Sequence, residues 1–234
     1  MSRDENEPMV QNSSFQSIRF GRYSPDQHSL MNEECTVTQN GLMKKDDGVE
    51  LVDVAALLPE VVIDLKYATD DNLTGQPIYR EHRCLLHPDA AQALVRCADV
   101  ARLAGFNLKI FDAYRPQQAQ VCLWTAFPNP EYVVDIRLGS HHSRGVAIDL
   151  TLLDEHGAAL DMGAAFDEMN ERSHPFYPDL PPQIQRNRLL LNAVMQAGGY
   201  RGIASEWWHF ELPNAREYPL LTDRFGCYPP INVG

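Results

Sequence analysis

The sequence predicts an α+β fold in which helices flank a central antiparallel sheet within a single domain. Predicted strands and helices do not alternate regularly along the chain, which argues against a parallel α/β sheet. Two of the predicted strands are joined by a short turn, as in an antiparallel hairpin. The length of 234 residues suits one sizeable core.

The N-terminal part of the chain differs in character from the rest. Residues 1–45 are polar and show neither a helical nor a strand period, which predicts a poorly ordered extension. The folded domain is therefore expected at residues 46–234. The opening MSRDENEPMVQNSS lacks the apolar stretch of a secretory signal, which favours a cytoplasmic protein.

The first half of the predicted domain holds two strands and two helices. The β-branched content of VVIDLKYAT predicts a strand at 61–69, followed by the turn-rich DNLTGQP. Apolar residues at helical spacing predict a helix at 88–104, with a glycine placed to cap it. Alternation around 108–110 predicts a half-buried strand, and a proline then opens a helix at 116–127.

The second half supplies the hairpin and one more helix. VAIDLTLLDEHGAAL is typical of two strands joined by a turn at 154–157. Residues 170–182 are rich in proline and polar groups, which predicts a loop, and an amphipathic helix at 183–197 ends at two glycines. ASEWWHFEL at 204–212 is predicted as the last strand.

Composition excludes several classes of partner. The 20 Lys and Arg residues against 32 Asp and Glu residues give a net charge of −12, which repels nucleic acid. No apolar run reaches the ~18 residues of a transmembrane helix, so no membrane partner is expected. The five cysteines show no paired spacing, which is typical of reduced thiols in the cytoplasm.

Two stretches carry the candidate chemistry, SHHSRGVAIDLTL and SEWWHFEL. Asp149 lies in an otherwise apolar strand, where a buried carboxylate must be paired or must bind a metal. His142 precedes that strand at a turn, and His209 comes from the second stretch. These three side chains are candidate ligands of a catalytic zinc ion, which keeps its fourth position for water. Glu206 is the candidate general base.

The metal hypothesis has a geometric requirement and a simpler alternative. Glu206 and His209 are three residues apart, so in a regular strand they would face opposite ways, and a bulge or strand end is needed to bring both to one ion. In the alternative, Asp149 pairs with Arg144 or Arg137 and the histidines are ordinary core residues.

Four runs together closely resemble the D-alanyl-D-alanine dipeptidases, zinc enzymes that include the vancomycin-resistance dipeptidase. The runs are SHHSRGVAIDLTL, EWWHFE, DAYRP and IDLKYATDDNLTG, and the resemblance covers about 61–212. It implies the fold of the zinc D,D-peptidases and hedgehog-like domains. It also implies hydrolysis of D-alanyl-D-alanine to two D-alanines, a chemistry linked to cell-wall peptidoglycan.

The resemblance also implies roles for individual positions. One zinc ion per chain would be held by His142, Asp149 and His209, Glu206 would be the base, Arg115 in DAYRP would steady the transition state, Asp167 and Tyr67 would hold the amino group of the substrate, and Ser140 would lie beside the substrate. A departure is His141, where the vancomycin-resistance enzyme has a second serine.

Simpler roles stay open for the residues outside the metal site. Arg115 is three residues from Asp112 and is placed to form an ordinary salt bridge. Asp167 suits the start of a helix. Tyr67 and Ser140 equally suit a packed ring and a turn hydroxyl.

Three other functions compete with the dipeptidase. A zinc D,D-carboxypeptidase or endopeptidase acting on peptidoglycan peptides uses the same metal chemistry but works outside the cytoplasm. A non-haem iron oxygenase also uses two histidines and one carboxylate, yet it leaves Glu206 without a role. An inert module that binds D-alanyl termini needs neither Glu206 nor Arg115. The predicted partner is a small dipeptide, and a homodimer is left open.

Overall fold

A five-stranded mixed sheet lies at the centre of the computed structural model, which describes residues 48–230. Its strands, in spatial order, are β2, β4, β5, β7 and β6, and a separate pair is formed by β1 and β3. The strands are β1 Val52–Asp53, β2 Val62–Ile63, β3 Leu85–Leu86, β4 Asn107–Asp112, β5 Ala147–Leu153, β6 Arg201–Gly202 and β7 His209–Glu211. The helices are α1 Val54–Leu57, α2 Pro88–Leu103, α3 Gln117–Ala126 and α4 Pro182–Gly198.

The α+β fold is confirmed, with one exception to the antiparallel sheet. Within residues 48–230, β4, β5, β7 and β6 pair antiparallel in that order, whereas β2 runs parallel to β4. Parallel neighbours need a long crossover connection rather than a hairpin. Helix α2 lies in the connection between β2 and β4, which is why this pair has the opposite sense.

Helices α2 and α4 pack against each other, and a glycine lets them approach closely. A Cβ atom added at Gly198 would lie 2.1 Å from the sulfur of Cys97 and 2.7 Å from the carbonyl oxygen of Ala93. The residue that ends α4 is Gly199, whose φ of 105° is left-handed and therefore favours glycine. The predicted helix at 183–197 is thus confirmed and extends by one residue at each end.

Two predicted strands are much shorter than the sequence pattern indicates. The run predicted at 61–69 keeps only Val62–Ile63 as strand, and Lys66–Ala68 forms a one-turn 3₁₀ helix. The carbonyl of Tyr67 in that turn accepts hydrogen bonds from two later backbone N–H groups, of Ile78 and Tyr79. These bonds take the place of the hydrogen bonds that a longer strand would form with a neighbouring strand. The turn buries the Tyr67 ring instead of extending the sheet.

The last predicted strand is also shortened, and this shapes the site described below. Only His209–Glu211 of the run 204–212 pairs regularly. Glu206 lies in the irregular segment before β7, so it does not obey the alternation of a strand. The strand end that the metal hypothesis requires is therefore present.

The hairpin predicted after β5 is present in reduced form. Leu153 forms an isolated bridge with Ala159, and the Asp154 carboxylate accepts the N–H groups of His156 and Ala158 in the turn between them. An aspartate that bonds to backbone N–H groups ahead of it is typical of such turns.

Several predictions fall on residues near the ends of the chain. The polar extension at 1–45 and Cys35 lie outside residues 48–230, and the extension stays a prediction.

The cysteines of the described part are free and buried; they are Cys84, Cys97, Cys122 and Cys227. Among the helices of residues 48–230, none has both the length and the apolar character to span a bilayer.

Candidate metal centre

The three predicted metal ligands come from three segments that meet at the sheet. His142 begins a one-turn 3₁₀ helix at His142–Arg144, just before β5. Asp149 in β5 and His209 in β7 are directly opposed partners in the antiparallel ladder. One candidate ligand atom from each side chain lies within 4.8 Å of the others, and all three residues are buried.

The three atoms form a small triangle. Asp149 Oδ1 lies 3.0 Å from His209 Nδ1, His142 Nε2 lies 3.1 Å from His209 Nδ1, and His142 Nε2 lies 3.4 Å from Asp149 Oδ1. Ligands held 2.0–2.1 Å from a tetrahedral ion lie roughly 3.3 Å from one another. The triangle therefore fits one small cation bound by two imidazoles and a carboxylate.

Hydrogen bonding sets which nitrogen of His142 faces this triangle. Its Nδ1 lies 2.7 Å from the carbonyl oxygen of Ala113, which only accepts, so Nδ1 carries the proton. The lone pair available to a metal ion is then on Nε2, the atom that points at Asp149 and His209. A metal-binding histidine is usually fixed in this way by a partner behind it.

The electrostatics of the triangle favour a positive charge at its centre. Burial alone would raise the pKa of Asp149, but His142 and His209 hold that pKa well below its usual range. Burial would lower the pKa of His209, yet hydrogen bonds to Asp149 and Glu211 raise it to about 10. The proton on His209 thus supplies positive charge to these carboxylates. A bound metal ion would supply positive charge at the same place.

Glu206 lies next to the triangle in a dry environment. Its Oε2 is 3.9 Å from His209 Nδ1, and the residue is only 6% exposed. Burial, with some help from the negative charges of Asp149 and Asp167, raises its pKa to about 8. A buried carboxyl with a pKa near neutrality is suited to taking up and returning a proton.

Arg115 combines the two roles that the sequence left open. The Asp112 salt bridge is present, since Nε and Nη2 of Arg115 both lie 2.9 Å from Asp112 Oδ2. The same guanidinium is 3.6 Å from Asp149 Oδ2 and lies over the Tyr67 ring, with 5.0 Å from Cζ to the ring centroid. A further hydrogen bond of 2.9 Å to Gln120 holds it in place. The salt bridge therefore fixes a cation that faces the metal centre.

The simpler alternative for Asp149 is wrong. Arg137 pairs with Asp135, and Arg144 donates to the carbonyl of Tyr218, so neither serves as the partner of the buried carboxylate.

Asp167 and Tyr67 form a second polar group in the same cavity. The Tyr67 hydroxyl donates to Asp167 Oδ1 at 3.0 Å, and the Leu73 N–H donates to Oδ2 at 3.2 Å. Asp167 lies in a turn, not at a helix start, and its φ of 60° is the one left-handed value among non-glycine residues of 48–230. Burial raises its pKa to about 7. Such strain and burial often mark a functional residue.

All eight predicted site residues line one cavity of about 250 Å³. This volume lies below the range of pockets for drug-sized ligands, so it suits a small molecule. Ser140 is at its wall, where its hydroxyl accepts the N–H of His142 at 3.2 Å. The predicted residues brought together there are Tyr67, Arg115, Ser140, His142, Asp149, Asp167, Glu206 and His209.

Sequence reasoning missed some residues of this cavity. Glu211 lies against His209, and its signal was the alternation His-Phe-Glu, which places both side chains on one face of a strand. Tyr132 and Arg216 also line the cavity. Tyr132 comes from an irregular segment and Arg216 from the one-turn 3₁₀ helix Ala215–Glu217, and such short segments carry no periodic signal.

A buried site of two histidines and one carboxylate, with a glutamate beside it and an arginine facing it, defines the chain as a hydrolase of the metallopeptidase class. A model of the D-ala-D-ala dipeptidase family matches residues 47–231, and the chain belongs to this family.

Two relatives show how far the similarity extends. The chain is 62% identical over 182 residues to the D-alanyl-D-alanine dipeptidase of Escherichia coli, which covers 78% of this chain and 94% of the relative. It is 35% identical over 183 residues to the D-alanyl-D-alanine dipeptidase of Enterococcus faecium, covering 69% of this chain and 89% of that one.

Proposed function

We propose that this protein hydrolyses the free dipeptide D-alanyl-D-alanine to two D-alanines with the help of one zinc ion. The observation that carries the proposal is the pairing of two sites in one small cavity. A three-ligand metal centre with a buried glutamate lies at one side, and a second buried carboxylate, Asp167, lies at the other. The relatives named above as D-alanyl-D-alanine dipeptidases support this substrate.

Zinc is the metal that suits the donor set best. Two imidazoles and one carboxylate are frequent ligands of catalytic zinc, and three protein ligands leave a position for substrate or water. When bound, a zinc ion polarises the scissile carbonyl and lowers the pKa of a water molecule toward neutrality.

Glu206 is proposed to move the proton. It would take a proton from the attacking water and deliver it to the amine of the leaving D-alanine. Burial raises the pKa of Glu206 to about 8 in the metal-free site. A bound divalent cation would lower that pKa, since a nearby positive charge favours the ionised form.

Arg115 is proposed to stabilise the negative charge that develops on the substrate carbonyl oxygen. Its guanidinium is fixed by Asp112 and Gln120 and is buried, so it needs little reorganisation during the reaction.

Asp167 and Tyr67 are proposed to bind the ammonium group of the substrate, with Ser140 beside the peptide. A free dipeptide carries a positive charge that pairs with the Asp167 carboxylate. An N-acylated peptide lacks that charge and would leave the carboxylate buried without a partner, which costs binding free energy. This selectivity argues against the longer, N-blocked peptides that a carboxypeptidase or endopeptidase of peptidoglycan cleaves.

We also infer a cytoplasmic site of action. The cysteines of residues 48–230 are free, and persistent free thiols are typical of a reducing compartment.

The test is release of D-alanine from D-alanyl-D-alanine and from its N-acetylated form, with zinc-loaded protein in the presence and absence of a chelator. We expect cleavage of the free dipeptide alone, abolished by the chelator and restored by added zinc. Cleavage of the acetylated form at a similar rate would favour the peptidoglycan enzymes. Binding without cleavage of either would favour a recognition module.

A further inference from the structure

Behind the metal centre, Glu211 contacts the edge of His209 that faces away from the other ligands. Glu211 Oε2 lies 3.4 Å from His209 Nε2, while Nδ1 of the same ring faces Asp149 and His142. Both residues belong to β7 and are two positions apart, so the strand places their side chains on one face. Glu211 is only 6% exposed, so its charge must be matched by partners.

His141 supplies one of those partners from a different segment. Its Nδ1 lies 2.5 Å from Glu211 Oε2, the same oxygen that faces His209. His141 directly precedes His142 in the chain, so the contact connects the segment that carries one histidine ligand to the strand that carries the other.

Arg201 contacts the second oxygen of the carboxylate from the protein surface, since its side chain is 53% exposed. Its Nη2 lies 3.0 Å from Glu211 Oε1, and the two residues are paired across β6 and β7. Oε1 therefore faces a half-exposed arginine, whereas Oε2 lies between the two histidines.

We propose that Glu211 and His141 are positioning residues of the metal centre. Glu211 accepts the Nε2–H of His209 and so keeps the lone pair of that ring on Nδ1, the atom that faces the metal. His141 holds Glu211 in this position and fixes the spacing between the two histidine-bearing segments. This inference rests on the proposed function, because it assumes that His209 binds the metal through Nδ1.

The general physics supports the assignment. A neutral imidazole carries one proton, and the hydrogen bond made by one nitrogen decides which nitrogen remains free to bind a metal. Loss of such a partner behind a metal-bound histidine typically lowers metal affinity by roughly 10–100-fold. His142 already has its own partner in the Ala113 carbonyl, so Glu211 provides the equivalent contact for His209.

The experiment compares metal affinity, measured by competition with a chromophoric chelator, among variants of the full chain. We expect Glu211→Gln and His141→Ala to weaken zinc binding by roughly 10-fold or more. His141→Asn should recover most of the affinity, because its side-chain amide can donate to the same oxygen. Arg201→Ala is the matched control: it removes a contact to Glu211 Oε1 from a side chain that is 53% exposed, and it should change affinity by less than about threefold.

A second readout separates positioning from general destabilisation. The visible absorption of the Co²⁺-substituted protein reports the ligand geometry, and we expect it to change in Glu211→Gln and His141→Ala but not in Arg201→Ala. Thermal unfolding of the metal-free proteins records any structural loss independently.

The outcomes discriminate among the explanations. If Glu211→Gln and His141→Ala bind zinc as tightly as the wild type and differ only in unfolding temperature, the pair is structural and the inference is wrong. It is equally wrong if His141→Ala raises only the KM for the dipeptide, which would make His141 a substrate contact. The proposed function fails separately, if the wild type binds no zinc or if His142→Ala binds it equally well.

Discussion

Tyr67 donates a hydrogen bond of 3.0 Å to Asp167, a carboxylate one hundred residues further along the chain. The bond joins the 3₁₀ turn after β2 to a strained turn after β5, and both residues line the cavity of the metal centre. Among residues 48–230, no lysine, arginine or histidine forms a salt bridge with Asp167, whose hydrogen-bond partners are the Tyr67 hydroxyl and the Leu73 N–H. Its negative charge is therefore available to a positively charged ligand.

The first prediction concerns recognition of the substrate ammonium. Asp167→Asn should raise the KM for D-alanyl-D-alanine by roughly 10–100-fold, because a neutral amide replaces the counter-charge in a buried site. Asparagine tolerates the left-handed φ of 60° at this position, so the backbone need not change. Steady-state kinetics with the free and the N-acetylated dipeptide measures the effect. Equal KM values for the variant and the wild type would remove Asp167 from the substrate site.

The second prediction concerns stability against pH. Burial raises the pKa of Asp167 from 3.8 to about 7, so the folded state binds this proton more tightly than the unfolded state does. The bound proton therefore stabilises the folded state fully below pH 4. This contribution to the free energy of unfolding is lost as the pH rises to 7, by about 1.4 kcal/mol per pH unit. Asp167→Asn removes this titration. The free energy of unfolding of the variant, relative to that of the wild type, should therefore rise by about 2 kcal/mol between pH 5.5 and pH 8, as measured by urea unfolding. A difference that does not change with pH would contradict the raised pKa.

The third prediction separates catalysis from metal binding. Glu206→Gln should lower kcat by roughly 10²–10⁴ while zinc remains bound, because the amide keeps the shape of the side chain but cannot accept a proton. Single-turnover kinetics and the zinc content of the purified variant measure the two effects. His142→Ala is the matched comparison, since it should lose the metal as well as the activity. A normal kcat in Glu206→Gln would show that Glu206 does not carry the proton.

The fourth prediction concerns the arginine that faces the metal centre. Arg115→Lys keeps a positive charge near Asp112 but loses the fork of donors, and kcat/KM should fall roughly 10²–10³-fold. Asp112→Asn leaves Arg115 in place but removes its buried counter-charge, and it should lower both stability and activity. Unfolding and kinetics of both variants measure this. If Arg115→Lys loses stability but keeps its rate, the arginine is only structural.

The three candidate metal ligands could be predicted from the sequence because their signal is local. Asp149 stands in a run that is otherwise apolar, and a buried carboxylate of that kind demands a cation. The spacing of Glu206 and His209 even predicted the strand end that the structure contains. The rest of the cavity has no such local signal. Tyr67 and Asp167 are one hundred residues apart in the chain, and only the family resemblance indicated that they lie together.

The sheet was predictable in type but not in all of its pairings. Periodicity indicates which face of a strand is buried, but it does not identify the neighbouring strand. The parallel pairing of Val62–Ile63 with β4 depends on where helix α2 packs. Likewise, the β-branched run at 61–69 ends early, because tertiary hydrogen bonds to the Tyr67 carbonyl favour a turn there.

The fifth prediction tests the helix packing that supports the sheet. Gly198→Ala should destabilise the fold by about 1–3 kcal/mol or more, because the new methyl group would meet Cys97 Sγ at 2.1 Å and the Ala93 carbonyl at 2.7 Å. Adding Cys97→Ala should recover only part of the loss, since the backbone contact remains. Gly226→Ala is the control, because the nearest atom to its new Cβ would be 3.6 Å away, and it should change the free energy of unfolding by less than about 0.5 kcal/mol. Urea unfolding of the three variants and the wild type measures these differences. Equal stability of Gly198→Ala and the wild type would mean that α2 and α4 do not approach this closely.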